Sequence, residues 1–258
     1  MEREALGFLA GMLVAAVTAP VGVSGAVFLL PVQLSVLHVP NPQVTPTNLL
    51  YNVVSGPGAL LRYVRQRRVD GPLTRALVLG SAPGVALGAA LRVHVVADPD
   101  TFRLLAAAVL LPTGLFILLG PRRRRGVGAS SGPAPRTVTG LAFVVGVVGG
   151  IYGVGGGSIL GPILVGSGMT VARVAPAALA STFITSIVGV VAFAGLALTT
   201  PGTVAPDWSL GLAIGAGGIV GGYAGARLQP RLPEALLRGL LGSLAIALAA
   251  LYLVQSTV

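Results

Sequence analysis

The chain has 258 residues, of which 54% are hydrophobic and 9% charged, with a mean hydropathy of +0.89; an average soluble domain carries about 25% charged residues. This composition excludes a soluble globular domain and marks an integral membrane protein. The formal charge of +10 comes from 17 arginines and no lysine, but they stand in short clusters between apolar runs, which excludes a nucleic-acid surface; the lack of cysteine excludes disulfides and thiolate metal sites.

Met1-Glu2-Arg3-Glu4 is net negative where a secretory signal would be positive, so the first apolar run is expected to belong to the fold. That run, 5–37, is interrupted by Gly22-Val23-Ser24-Gly25-Ala26-Val27-Phe28-Leu29-Leu30-Pro31. Runs long enough to span a bilayer follow near 43–61, 73–92 and 101–119. Pro121-Arg122-Arg123-Arg124-Arg125 and a Gly/Ser/Pro stretch to Pro135 form a linker. A second interrupted run, 138–169, carries Gly153-Val154-Gly155-Gly156-Gly157-Ser158-Ile159-Leu160-Gly161-Pro162, and spans near 175–198, 207–228 and 234–255 complete the chain. Each interrupted run has 32 or 33 residues, too many for one crossing and too few for two. Each reads as a hairpin of short helices or a re-entrant pair.

The two interrupted segments align without gaps at an offset of 131, sharing Gly22/Gly153, Val23/Val154, Gly25/Gly156 and Pro31/Pro162. Val44-Thr45-Pro46-Thr47 matches Val174-Ala175-Pro176-Ala177, and Leu87-Gly88-Ala89-Ala90-Leu91 matches Ala224-Gly225-Ala226-Arg227-Leu228. The chain therefore reads as two repeats, 1–120 and 137–258, around a linker at 121–136. If each interrupted run goes in and comes back, 14 arginines fall on one side and only Arg3, Arg92 and Arg103 on the other. Positive charge concentrates on the cytoplasmic side, so this count favours inverted repeats, both termini outside and cytoplasmic arginine-rich loops in a plasma membrane. The expected fold is an all-α polytopic membrane protein of two inverted repeats. Each repeat is an interrupted hairpin followed by three transmembrane helices, giving eight full helices to ten segments.

All seven acidic residues lie near termini or loops, so no mid-helix carboxylate is available as a sodium ligand or proton relay. His38 and His94 fall at helix ends, and no spacing of His, Asp or Glu describes a metal site or a catalytic set. No enzyme, cofactor or metal is expected. What the interruptions offer instead is backbone and small hydroxyls: Ser24, Gly25, Gly155, Gly156, Gly157 and Ser158. A helix that begins inside a bilayer directs unpaired N–H groups and a partial positive charge into its surroundings, which suits an anion, and paired interrupted segments in duplicated halves point to a transporter's site. The competing reading of the same glycines is close helix packing.

The next span of each half adds uncharged polar groups. Thr45, Thr47, Asn48, Tyr51, Asn52 and Ser55 lie in the first, with Asn48 and Asn52 four apart on one face. Ser181, Thr182, Thr185 and Ser186 lie in the second. These groups can donate to an oxyanion or simply bond between helices. Gln33 and Tyr152 are weaker candidates. The arginine clusters read as topology anchors that also raise the local anion concentration.

Gly22 to Pro31, Gly153 to Pro162, and Gly221-Gly222-Tyr223-Ala224-Gly225-Ala226-Arg227-Leu228 together resemble the sulfite exporter TauE/SafE family of membrane permeases. The resemblance covers nearly the whole chain. It implies a secondary transporter of small anions such as sulfite, organosulfonates or organic acids. In the first segment Ser24 and Ala26 replace the family-like Gly155 and Gly157 of the second. The reading is alternating access around an anion held by Ser24, Gly25, Asn48, Asn52, Gly155, Gly156, Gly157, Ser158, Ser181, Thr182 and Thr185. Its partners are the small anion and the bilayer; proton coupling and homo-oligomerisation stay open. A passive anion channel and a non-transporting assembly subunit are the alternatives.

Overall fold

A computed structural model describes residues 2–40, 43–94, 104, 107, 108, 111, 112, 114, 115, 117–119, 133–200 and 204–255. The arginine run 122–125 and Arg103 lie outside them. Every regular element among the described residues is helical: α1 (Glu2–Thr18), α2 (Ala26–Ser35), α3 (Val44–Arg65), α4 (Gly71–His94), α5 (Pro135–Tyr152), α6 (Gly156–Gly166), α7 (Val171–Ala197), α8 (Trp208–Leu228) and α9 (Glu234–Gln255). Short 3₁₀ turns, Ala19–Val21 and Gln229–Arg231, extend α1 and α8. The described residues of 104–119 are helical too, and Gly114 rests against Ala245 and Ile246 of α9.

Six of these helices are long and apolar enough to cross a membrane: Glu2–Val21, α4, α5, α7, Trp208–Arg231 and α9. The 22-residue α3 has the length but not the hydropathy, because it carries Thr45, Thr47, Asn48, Tyr51 and Asn52. All five are buried inside the bundle, so lipid never meets them.

The interrupted runs are hairpins, though not of two short helices. The first limbs, Glu2–Val21 and α5, have 20 and 18 residues; the returning limbs, α2 and α6, have 10 and 11. At 1.5 Å per residue a returning limb spans about half of a ~30 Å hydrocarbon core. The break itself is a glycine in the left-handed region, where a side chain would be strained. Gly22 (φ 78°) and Gly153 (φ 71°) end their limbs alike. Val23 N–H donates to Thr18 O at 3.3 Å and Val154 N–H to Gly149 O at 3.1 Å, the longer closing bond of a Schellman cap.

The helices pack through backbone-to-backbone approach. Gly217, Gly221 and Gly225 of α8 face the carbonyls of Phe8, Met12 and Ala16 on α1 so closely that a Cβ at any of the three would collide with the oxygen. Gly80, Gly84 and Gly88 of α4 face the carbonyls of Thr139, Phe143 and Val147 on α5 in the same way. The second set reproduces the first with each helix partner displaced by the offsets read in the sequence. The numbering rises together along each pair, so α1 runs parallel to α8, and α4 to α5.

Each of these pairs joins one half of the chain to the other. By contrast α3 and α7, the corresponding helices of the two halves, run antiparallel. Gly189 meets Leu49, Gly56 meets Phe183, and Arg173 binds Asp70 at 2.6 Å. The bundle thus consists of α1, α3 and α8 on one side and α4, α5 and α7 on the other, joined along α3 and α7.

Two ion pairs mark its ends. Arg3 pairs with Asp207 at 3.1 Å and donates to Leu37 O at one end; Asp70 and Arg173 stand at the other, near Arg62, Arg65, Arg67, Arg68 and Arg75. Partial burial pushes the Asp70 carboxyl up, but the Leu73 N–H and the Arg173 guanidinium outweigh it and hold the group below the ordinary carboxylate range.

Gly221→Leu should lower the midpoint of thermal unfolding in detergent, since overpacking costs about 1–3 kcal/mol or more. Gly195→Ala, a helical site with open space around it, should leave the midpoint unchanged or raise it. Asp70→Asn should destabilise the protein at pH 7. Because the folded pKa is depressed, that difference should fade as the pH drops below the unfolded carboxylate value of about 3.9; melts of both proteins across that range check it.

Candidate functional site

The two hairpin tips meet in the middle of the bundle, at α3 and α7. Ser24 N–H donates to Ser158 Oγ at 3.2 Å, joining the tips directly, and Ser158 Oγ–H donates to Val154 O at 2.9 Å. The Ser24 hydroxyl donates to Asn52 Oδ1 and accepts Ala26 N–H at 3.1 Å. Asn48, one turn earlier on α3, accepts from Gln33 Nε2 through Oδ1 and donates to Ala26 O at 3.0 Å through Nδ2. All of these groups are buried.

A cavity of about 30 Å³ opens beside the first tip. It lies among Thr18, Ser24 and Gly25 of the hairpin, Tyr51, Asn52 and Ser55 of α3, Thr182 and Phe183 of α7, and Gly218 of α8. That is room for about two waters, and Ala15, Ala19, Val23, Ala59 and Leu179 supply an apolar remainder of the lining. No carboxylate, arginine or histidine is among its lining residues. Two polar atoms of lining residues, Asn52 Nδ2 and Thr182 Oγ1, are buried without a hydrogen-bond partner, Thr182 Oγ1 lying beside Gly157; their residues are 3% and 2% exposed. An unpaired buried polar group costs about 1–3 kcal/mol, so a ligand that accepts from both recovers that cost.

The predicted residues divide into four groups. Ser24, Gly25, Asn52 and Thr182 line the cavity. Asn48 and Ser158 do not; they spend their hydrogen bonds fastening α2 to α3 and one tip to the other. Gly155, Gly156 and Gly157 are packing contacts, pressed against the Thr182 methyl, the Ser81 side chain and the Ala178 carbonyl respectively. Ser181 and Thr185 are buried one turn apart on α7; Thr185 Oγ–H donates to Ser181 O at 2.8 Å, and Ser181 Oγ has no partner.

The backbone of the first tip is less available than expected. Gly22, Val23, Ser24 and Ala26 N–H each have an acceptor inside the protein. Thr18, Phe183 and Gly218 escaped the sequence reading. Gly218 faces Tyr51 and Ser55, and at the offset that relates α8 to α4 its counterpart is Ser81, which faces Gly156. That offset was the signal that could have found both.

A family model described as sulfite exporter TauE/SafE matches residues 7–252. The chain belongs to the TauE/SafE family. It is thus a multi-pass membrane protein of a family described as exporters. A curated relative, "Probable membrane transporter protein YunE" of Bacillus subtilis (strain 168), is 26% identical over 177 residues, which are 60% of this chain and 64% of that relative. The match therefore spans less than two-thirds of the relative's length. No solved structure gives a significant match.

Within this family member the two asparagines should separate by experiment. Asn48→Ala should cost about 1–3 kcal/mol of stability, because it strands the Gln33 amide and the Ala26 carbonyl. Asn52→Ala removes a group already half unpaired and should cost less than Asn48→Ala in the same thermal melt.

Proposed function

We propose that this transporter carries small oxyanions, and that the cavity between the first hairpin tip, Asn52 and Thr182 is where the anion rests. The observation that carries the reading is the pair of buried, unpartnered groups there, Asn52 Nδ2 and Thr182 Oγ1, in a site whose lining holds no charge. Both can donate, and several other lining groups are hydroxyls. A cation would find no carboxylate in the lining, whereas an oxyanion can accept from the amide and hydroxyl groups that do not already donate within the protein. The family's description names sulfite, and sulfite, thiosulfate and short sulfonates suit a small donor-lined space.

The repeats are inverted on this reading. Its support is the antiparallel run of α3 and α7 together with the recurrence of the same glycine contacts in both halves. The arginine-rich end then faces the cytoplasm. Alternating access moves α1, α3 and α8 against α4, α5 and α7. Rocking of residues 1–120 against 137–258 as rigid halves does not suit a bundle in which each hairpin packs on the other half. With no carboxylate lining the cavity, any coupled proton travels on the anion itself.

Thermal stabilisation of the purified protein against sulfite, thiosulfate, sulfoacetate, sulfate and short carboxylates tests the site. A selective rise in melting temperature for one class, lost in Asn52→Ala, is the expected result; no rise with any anion would sink the assignment. Flux into liposomes that saturates and shows counterflow separates a carrier from a passive channel. Flux indifferent to a pH gradient removes the proton.

A further inference from the structure

A second face of α8 is lined with glycine. Gly211, Gly215, Gly218 and Gly222 look toward α3 rather than α1. At the first three, packing demands the missing side chain, because a Cβ there would collide with the side chains of Leu50, Val54 and Ser55 in turn. Gly222 is different. A Cβ on it would stand 3.5 Å from Ala59 N and 3.6 Å from Ala59 Cβ, an ordinary van der Waals contact, with Ser55 O next at 3.9 Å. Gly222, Ser55 and Ala59 all line the cavity beside the first hairpin tip. Gly222 also has helical backbone, outside the left-handed region. In such a place alanine favours the helix over glycine, so neither packing nor conformation accounts for the glycine.

The other half of the chain has side chains at these places. At the offset of 137 that relates α8 to α4, Gly218 corresponds to Ser81 and Gly222 to Val85. The Ser81 side chain lies on Gly156, the counterpart of Gly25, and the Val85 side chain lies on Gly189, the counterpart of Ala59. Gly25 and Ala59 both border the cavity. The two halves thus build the same frame, and what is open space in the first is occupied by Ser81 and Val85 in the second.

We infer that Gly222 is the size filter of the candidate site: its missing side chain leaves room beside Asn52, and the side chain at this position decides how large an anion the cavity admits. The inference rests on the transport reading above for what the cavity holds, and on packing alone for how large it is. A methyl group is comparable in size to a water molecule, and the cavity has room for about two waters, so even an alanine at 222 takes up a substantial share of it. The unpartnered Asn52 Nδ2 in the same lining marks the space as one that a ligand uses.

The chain has no cysteine, so Ser55→Cys places a single thiol in the cavity lining. In the full chain in detergent it is labelled with methyl methanethiosulfonate and with the longer propyl reagent. Gly222→Ala should lower the ratio of propyl to methyl labelling rates about tenfold, the discrimination that a methylene gives in a close-fitting pocket; Gly222→Val should slow both reagents. Gly222→Ala should melt no lower than its parent, whereas Gly221→Ala, one residue away, should melt lower because its Cβ would strike the Met12 carbonyl. In the chain without the cysteine, Gly222→Ala should raise the half-maximal stabilising concentration of the larger of two anions, such as sulfoacetate against sulfite, about tenfold more than that of the smaller.

An unchanged rate ratio in Gly222→Ala overturns the filter, since a side chain there would then not narrow the cavity. A melting temperature more than about 2 °C below the parent's overturns it as well, since packing would then require the glycine. A ratio that falls while the two anions keep their relative strengths overturns its role in anion selection. Labelling does not require an anion, so a parent that no anion stabilises refutes the transport site, while the labelling ratio still decides whether Gly222 sets the size of the cavity.

Discussion

Lipid tails are as apolar as leucine, so helices in a bilayer gain little by burying apolar surface against each other and must instead approach closely. Here that approach is made by backbone. Gly80, Gly84 and Gly88 admit the carbonyls of α5, and Gly217, Gly221 and Gly225 those of α1. A glycine every fourth position admits one carbonyl per turn, so each stripe fixes the register of its helix pair. With the pairs fixed, the depth of each hairpin tip follows, because Gly22 and Gly153 end their limbs the same distance beyond the last stripe contacts, Ala16 and Val147. The tips then meet against α3 and α7 through Ser24 and Ser158, with Asn52 against the first and Thr182 against the second.

The polar economy at that point is tight. In a medium of low dielectric a buried hydrogen-bonding group either finds a partner or costs stability. The first tip settles nearly all of its groups internally, with Ser24 serving Ser158, Asn52 and Ala26 at once. Asn48 does likewise between α2 and α3. What stays unsettled includes the Asn52 amide on one half of the chain and the hydroxyls of Ser181, Thr182 and Ser186 on the other, at the junction of the two three-helix groups. A ligand bound there touches α3 and α7 together, which are the elements along which those groups meet.

Much of this was legible in the sequence, and the reasons are specific. The spans near 73–92, 175–198, 207–228 and 234–255 became helices because apolar length alone sets them, whereas 43–61 is a helix with its polar residues buried. Gly22-Val23 and Gly153-Val154 marked the breaks because only glycine sits easily in the left-handed cap. The depth of the breaks was not legible: nothing in 5–37 says that the first limb is a helix of 20 residues and the returning one of 10, since that depends on what α8 offers it. The roles of Gly155, Gly156 and Gly157 were ambiguous for a physical reason. A glycine that lets a ligand approach and one that lets Ser81 or Ala178 approach have the same sequence. Asn48 and Asn52 likewise share a helix face, and only the arrival of Gln33 turns one of them into a fastener. Which half packs on which cannot be read from periodicity, because parallel and crossed pairings leave the same glycine spacing.

That crossed pairing bears on how the protein is made. The partner surface of α1 is α8, the second-last helix of the chain, whereas α5 emerges to find α4 already in place. During synthesis α1 must therefore wait in the bilayer with its Phe8, Met12 and Ala16 carbonyl face uncovered by glycine, while half the bundle assembles beside it. The second hairpin closes early and the first closes last. The first hairpin is also the one whose tip walls the cavity, so the binding space comes into being only as the final helices insert.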